Sequence, residues 1–573
     1  VRFVVATVLL VLSAISIAVG FITKGPFDAN SSHKIQFNLA SAYSYQVIPH
    51  STLTSYDGQI TVKATGTKEI FYANGRERDI QDWIGTSNFV RLNVTANQKN
   101  PDPTVITAGG TDASPEGSDL WRDSVKVKNE LVTTVSMMDD TGVLLASDGL
   151  HRGPSQVTIL WNETGIINWP LVFIGVGLAL LIAALIINFL GFRNIRKLRG
   201  PKRRIPKSPK GPRLRQTSRM DIPRRGRRRM GRTSRRMMVA PVGLISLSLL
   251  AGCSSGSTVP TSTAGPKFEQ VNVVVTDAQL QRIVRNVAAT LKTSDNTRDT
   301  NLLLTRASGP ALETRKVQYL LQVKSKKIPR LNGIIASPIT VSLPMQLPDI
   351  SLGWQPRTLM VVTKAASSTK APQMLVLQQA TPRDNYKLWY LIDLMPTDFP
   401  SVAAENVGAL SVDPNNSYLV TPVKSLPFKY GDVLNKGALS TYAPEFDLTA
   451  DQYYAAISQL QTEQQTTLKK SKVSVQFIHS LADPNILGML TLGSGGLIAM
   501  AMNDTSVIKP QTRASAVSLT QLDQKLLLGA PGSSTGLKIV YENMLLFYVP
   551  AGAAEKIRLI GATQGLLSVG ALN

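Results

Sequence analysis

Near the middle of the chain, residues 193–236 hold 20 of the 62 lysines and arginines and only one of the 38 acids, Asp221. Such a block repels itself and has nothing to bury, so it cannot belong to a packed core. The uncharged apolar run Ile166 to Phe192 ends directly against it, with Arg193, Arg196, Lys197 and Arg199 following. At about 1.5 Å per residue a helix of this length crosses a hydrocarbon core of about 30 Å. Cations clustered at one end of such a helix hold that end in the cytoplasm. The block therefore decides on which side of a membrane the flanking segments fold.

The formal charge of +24 is largely this block, because the other 529 residues carry 42 cations against 37 acids. A chain-wide nucleic-acid surface is excluded, and the block itself lacks the aromatic side chains that stack on bases. The expected partner is the cytoplasmic membrane with its anionic lipids, contacted by Arg224, Arg225, Arg227, Arg228 and Arg229 at on the order of 1 kcal/mol per cation, with no specific nucleic acid. Prolines 206, 209 and 212, spaced by three, favour an extended polyproline helix in the first half of the block. A single cysteine rules out an intramolecular disulfide, and with four histidines a Cys/His zinc site is nearly excluded. No cofactor is expected.

Residues 1–23 read as a retained transmembrane helix, since Phe3 to Thr23 is uncharged and no small-x-small cleavage site precedes Lys24. Residues 24–165 alternate in short β-branched runs such as Ile60-Thr-Val-Lys-Ala, with turn signals at Asp57-Gly58, Asn74-Gly75 and Gly109-Gly110. They predict a mostly β extracytoplasmic domain with a short helix over Arg78 to Ile84. Residues 166–192 form the second transmembrane helix. Its small residues Gly175, Ala179 and Ala183, facing Ala14/Ala18 and Ser16/Gly20 of the first, predict that the two helices pack together.

After the basic disordered linker 193–236 comes a sixteen-residue apolar run, Met237 to Gly252, short for a membrane span and suited to a secretory signal. The following Leu250-Ala251-Gly252-Cys253 resembles the lipobox of bacterial lipoproteins. That resemblance implies thioether lipidation of Cys253 and cleavage before it, giving a signal-like segment 237–253 and a flexible tether 254–267. A lipobox normally closes an N-terminal signal, whereas this one follows two spans. Cleavage would divide the chain in two, and Met230, Met237 and Met238 also fit a fusion of neighbouring reading frames. Either way the order is outside, inside, outside.

Two segments in the remainder begin alike, Thr276-Asp-Ala-Gln279 and Thr449-Ala-Asp-Gln452, each a capping box opening an amphipathic helix. Strand-rich sequence follows both, including Thr358 to Lys364, Gln373 to Gln379, Tyr386 to Met395, Leu497 to Met502 and Leu537 to Val549. The expected fold class is α+β with transmembrane helices, ending in tandem helix-on-antiparallel-sheet domains at 268–430 and 431–573. Two helices followed by a meander resemble the nuclear-transport-factor-2-like fold, which implies a pocket or a dimerisation module.

Chemistry is scarce. No histidine has metal-ligand spacing; His479 shares strand parity with Val473, Val475 and Phe477 and reads as a strand-end residue that finds a hydrogen bond. Gly493-Ser-Gly-Gly496 and Gly529 to Gly536 lack the spacing of a nucleophile elbow or a phosphate loop and read as hairpin turns. Asp139-Asp140, and Asp119 beside Trp121, are the acids in place to line a carbohydrate or cation site, although isolated acids near turns are usually solvated. Gly117-Ser-Asp-Leu-Trp121, Leu144-Leu-Ala-Ser-Asp-Gly149 and the Pro/Lys run ending in Gly226-Arg-Arg-Arg resemble uncharacterised actinobacterial cell-envelope membrane proteins. The resemblance implies a multi-pass protein of the cytoplasmic membrane with most of its chain outside. The expectation is a non-enzymatic binding or scaffolding role toward a cell-wall glycan or another membrane protein. An envelope enzyme with a dispersed active site, or a sensor acting through the basic loop, are the alternatives.

Overall fold

The computed structural model describes residues 2–24, 32–39, 43–94, 101–149, 151–162, 169–198, 273–365 and 370–573. They divide into a pair of apolar helices and a larger body that unites residues 32–162 with 273–573. The architecture is α+β with two helices long and apolar enough to cross a membrane.

Helix α1 (Arg2–Lys24) is followed by β1 (Ser32–Asn38), β2 (Tyr45–Ile48), the single turn α2 (His50–Leu53), β3 (Gln59–Arg76), α3 (Glu77–Ile84), β4 (Phe89–Arg91), β5 (Thr104–Ile106), β6 (Asp123–Thr134), β7 (Thr141–Ala146) and β8 (Gln156–Asn162). Among the described residues these strands form one sheet in the order β1-β8-β3-β7-β2-β4-β5, with β6 also pairing β3. Its spine is β3, whose first half pairs β8 and whose second half pairs β7. Ile60, Val62 and Ala64 alternate into a core with Ile35, Phe37 and Trp161, as a half-buried strand requires. The helix expected at Arg78 to Ile84 is α3. Asn74-Gly75, expected as a turn, runs straight through β3. Asn74 Oδ1 accepts the Asp123 amide, and Gly75 stands opposite Gly142 in the β3–β7 ladder.

Helix α4 (Trp169–Leu198) lies antiparallel to α1. Ser13 Oγ donates to the Gly177 carbonyl at 2.7 Å, Ser16 Oγ to Phe173 at 2.9 Å, and Phe3 meets Phe192 edge to face. The pairing is as expected and Ser16 and Gly20 take part in it, but the ridges Gly175/Ala179 and Ala14/Ala18 do not. The buried residues are Ala6, Ser13 and Gly20 against Gly177, Ala184 and Gly191, while Gly175 and Ala179 are exposed. A spacing of seven keeps small residues on one seam between two nearly parallel axes, whereas a ridge spaced by four drifts around the helix.

The chain resumes with α5 (Asp277–Thr297), α6 (Thr300–Arg306) and α7 (Gly309–Lys324), then β9 (Ile339–Pro344), β10 (Arg357–Thr363), β11 (Gln373–Gln379) and β12 (Lys387–Asp393) in an antiparallel sheet ordered β12-β11-β10-β9. The Thr276/Gln279 capping box opens α5 as expected. Next come α8 (Leu426–Lys436), α9 (Gln452–Lys470), β13 (Val473–Leu481), β14 (Leu487–Leu490) and β15 (Gly496–Pro510). A short ribbon of β16 (Val517–Ser518) and β17 (Gly532–Ser533) brackets α10 (Leu522–Leu528), and β18 (Leu537–Val549) and β19 (Arg558–Ala571) complete a sheet ordered β13-β15-β18-β19. Helix α9 is capped by Asp451, which accepts the Tyr454 amide, and not by Thr449, whose hydroxyl bonds Asp447. One face of this second sheet (Ile498, Met500, Met502, Phe547) packs on Tyr430 and Val433 of α8. The other (Leu497, Ala499, Met544, Leu546) shares a core with Leu375 and Tyr390 of the first.

Candidate functional site

The densest polar constellation joins residues 76–122 to residues 273–386. Its centre is Asp79, carried into the interior by α3 and 1% exposed. Arg357, at the first position of β10 and 2% exposed, grips both carboxylate oxygens, with Nη1 at 3.0 Å from Oδ2 and Nη2 on Oδ1. Such bidentate pairing suits a planar fork of donors. The Arg357 guanidinium also lies 4.1 Å over the Trp354 ring. Arg76 adds a second cation, 3.3 Å from Asp79 Oδ2, then reaches across to the Val274 carbonyl at 2.9 Å and the Val273 carbonyl. Burial opposes charge on Asp79, yet Arg357 and Arg76 together hold its carboxyl below the usual range.

A second knot forms around Asp119, also 1% exposed. Both its oxygens are taken by Arg306 at the end of α6, Oδ2 also accepts the Tyr386 amide at 2.9 Å, and its own amide donates to Asn385 Oδ1 at 2.9 Å. Arg383, in the turn between β11 and β12, caps α3 by donating to the carbonyls of Trp83 and Ile84 at 2.9 Å each, and further to Ser87 and Thr111. These are the carbonyls a helix end leaves without partners. Gln279 and Arg282 of α5 bond the carbonyls of residues 119–122, and Arg78 returns two bonds to Pro348 and Gly353. Beneath this layer Trp83 and Trp121 pack at 5.6 Å between ring centres.

Two of the three acids singled out in the sequence are consumed here. Asp119 is the knot just described, and Asp140 is bound by Arg122 at 2.5 Å and by Arg76 at 3.2 Å, so neither stands open to a cation or sugar. Asp139 is exposed in the turn before β7. His479 accepts from Gln461 at Nε2 (3.0 Å) and faces Asp504 Oδ1 from Nδ1 at 3.5 Å; burial lowers its pKa to about 4 and raises that of Asp504 to about 6. Gly493 to Gly496 is a hairpin turn between β14 and β15, as expected, whereas Gly529 caps α10 and Gly532 enters β17. Leu250, Ala251, Gly252, Cys253, Arg224, Arg225, Arg227, Arg228 and Arg229 lie outside the described residues. The sequence reading missed Asp79, Arg306, Arg357 and Arg383, which are joined across the seam to partners 187 to 300 positions away.

With its carboxylates bound to guanidinium or amide groups, the seam is built for recognition between two stretches of chain. No curated protein and no solved structure matches the sequence. Residues 271–570, more than half of the chain, match the family model described as a domain of unknown function (DUF8094), and the protein belongs to that family.

Proposed function

We propose that the protein is a non-enzymatic binding and scaffolding component of the cell envelope, anchored in the cytoplasmic membrane, with residues 32–162 and 273–573 together on its outer face. The observation that carries this reading is the buried Asp79–Arg357 and Asp119–Arg306 seam, which requires both stretches to fold in the same compartment. Cations at the end of α4 favour an inside position for that end, hence an outside position for the residues between α1 and α4. Residues 273–573, packed on them, must then have crossed as well. Between them and α4, Met237 to Gly252 is the apolar run suited to that export, and the lipobox-like residues ending at Cys253 supply an anchor for the second stretch.

The test is a dual reporter, active only outside or only inside, fused after residue 236 or after Asn573. The reading expects a cytoplasmic signal at 236 and an external signal at 573. A cytoplasmic signal at 573 in a protein with an intact seam would overturn it.

A further inference from the structure

We infer that an open cleft over the middle of β3 binds a phosphate-bearing, hydroxylated ligand of the sugar-phosphate class. The cleft has a volume of 320 Å³, at the small end of ligand sites, and lies where the β3–β6 ladder breaks. The register steps from Thr65↔Glu130 to Glu69↔Lys128, so residues 66–68 are opposed by Asn129 alone. Asn129 takes φ 65°, a left-handed backbone that asparagine tolerates better than most residues. Bulges of this kind re-aim side chains and terminate pairing beside sites.

The charges around the cleft are unevenly committed. Glu69 is bound by Lys126 at 2.9 Å, and that bond holds its carboxyl below the usual range. Asp148 accepts the His151 amide at 2.8 Å and the His151 Nδ1 at 2.6 Å, which fixes the imidazole and leaves Nε2 as its other polar atom. Lys68 and Lys128 line the same cleft, and among the described residues neither makes an ion pair. Two lysines in the lining of one polar recess, beside carboxylates already bound, suit a phosphate, while Asn129 and Ser147, also in the lining, are residue types that bond sugar hydroxyls. The paired lysines disfavour a metal ion, and the polar lining disfavours an apolar ligand.

The test uses the full chain in phosphatidylcholine nanodiscs, titrated calorimetrically with glucose 1-phosphate, glucose, and a short-chain phosphatidylglycerol kept below its micelle concentration. The inference expects glucose 1-phosphate to bind at least tenfold more tightly than either comparator. It expects Lys68→Ala with Lys128→Ala to weaken that binding at least tenfold with an unchanged melting temperature, while Lys34→Ala on β1 leaves it alone. Equal binding of phosphatidylglycerol through the same lysines would reassign the ligand to a lipid headgroup and overturn the sugar-phosphate class. Absence of binding by glucose 1-phosphate, or binding indifferent to the double substitution, would overturn the site.

Discussion

Replacing Asp79 with alanine tests the seam where its physics is starkest. Arg357 would keep its buried guanidinium and lose the carboxylate that grips it, while the Trp354 face stays at 4.1 Å and Asp82 acts from further off. Arg76 would be less stranded, because Asp140 stays 3.2 Å from its Nε and two backbone carbonyls remain. Removing one partner of a buried pair costs about 3–5 kcal/mol, and this case belongs within that range because one cation, not two, is left bare. Arg357→Ala should cost less, since Asp79 keeps Arg76. Asp79→Leu with Arg357→Leu should recover most of the loss, because burying neither charge avoids both desolvation penalties. The readout is dissociation of the seam: in a Cys253→Ala background, which keeps the chain joined, a protease site is inserted between residues 254 and 266, the purified protein is cut, and the fragments are run on gel filtration across a dilution series. With Asp79 in place, uncut and cut protein should co-elute. In Asp79→Ala the seam should weaken by about two to three-and-a-half powers of ten, at about 1.4 kcal/mol per tenfold, and the fragments should part at micromolar concentration. A loss under tenfold, or a double leucine variant worse than Asp79→Ala, would refute the argument that an uncompensated buried charge governs this surface.

Gly177→Ile should disrupt the helix pair and lower the melting temperature in detergent, because even a Cβ there would stand 2.5 Å from Ile17 Cγ1; Gly175→Ile, with nothing within 4 Å, should be neutral. Glu542, buried in β18 near Asp483 and Glu313, has its pKa raised to about 7 by burial first and those acids second. A raised carboxyl stabilises fully below its unfolded value near 4.5 and loses that contribution as pH rises through about 7, so Glu542→Gln should raise stability at pH 8 by about 2–3 kcal/mol and leave it unchanged at pH 4, measured by denaturant melts. His479, lowered to about 4 by burial, acts in the opposite sense: its contribution is present above about 6.5 and lost as pH falls through about 4, so His479→Gln should flatten the acid limb of the same curve. Intact-mass spectrometry of the membrane fraction should find a diacylglycerol adduct on a fragment beginning at Cys253, absent in Cys253→Ala; a full-length unlipidated species in both would end the lipoprotein reading.

Local signals were legible where the chain's neighbours in sequence are its neighbours in space. The Thr276/Gln279 box opens α5, and the runs Gln373 to Gln379 and Leu537 to Val549 are strands with those bounds. Competing chemistry explains the misses. Asp451 displaced Thr449 as a cap because both carry suitable oxygens two residues apart. Strand β19 runs unbroken from Arg558 to Ala571 through Gly561 and Gly565, which serve close approach and not turns: their Cβ atoms would stand 2.8 Å from the Asp393 carbonyl and 2.7 Å from Thr314. The seam itself was illegible, since Asp79 and Arg357 are 278 positions apart and each looks like an ordinary surface charge until the fold brings them together.

The seam's main ion pairs are divided by sign. The gripping carboxylates, Asp79 and Asp119, come from the stretch made early, and the arginines that hold them, Arg357 and Arg306, from the stretch made late. Until the later stretch emerges, the earlier one holds Asp79 beside its own Arg76 and Asp119 in water, each with an oxygen still to be filled. The arriving arginines are drawn to those carboxylates ahead of contact. Which stretch bears the acid of each pair thus sets the order in which the surface closes.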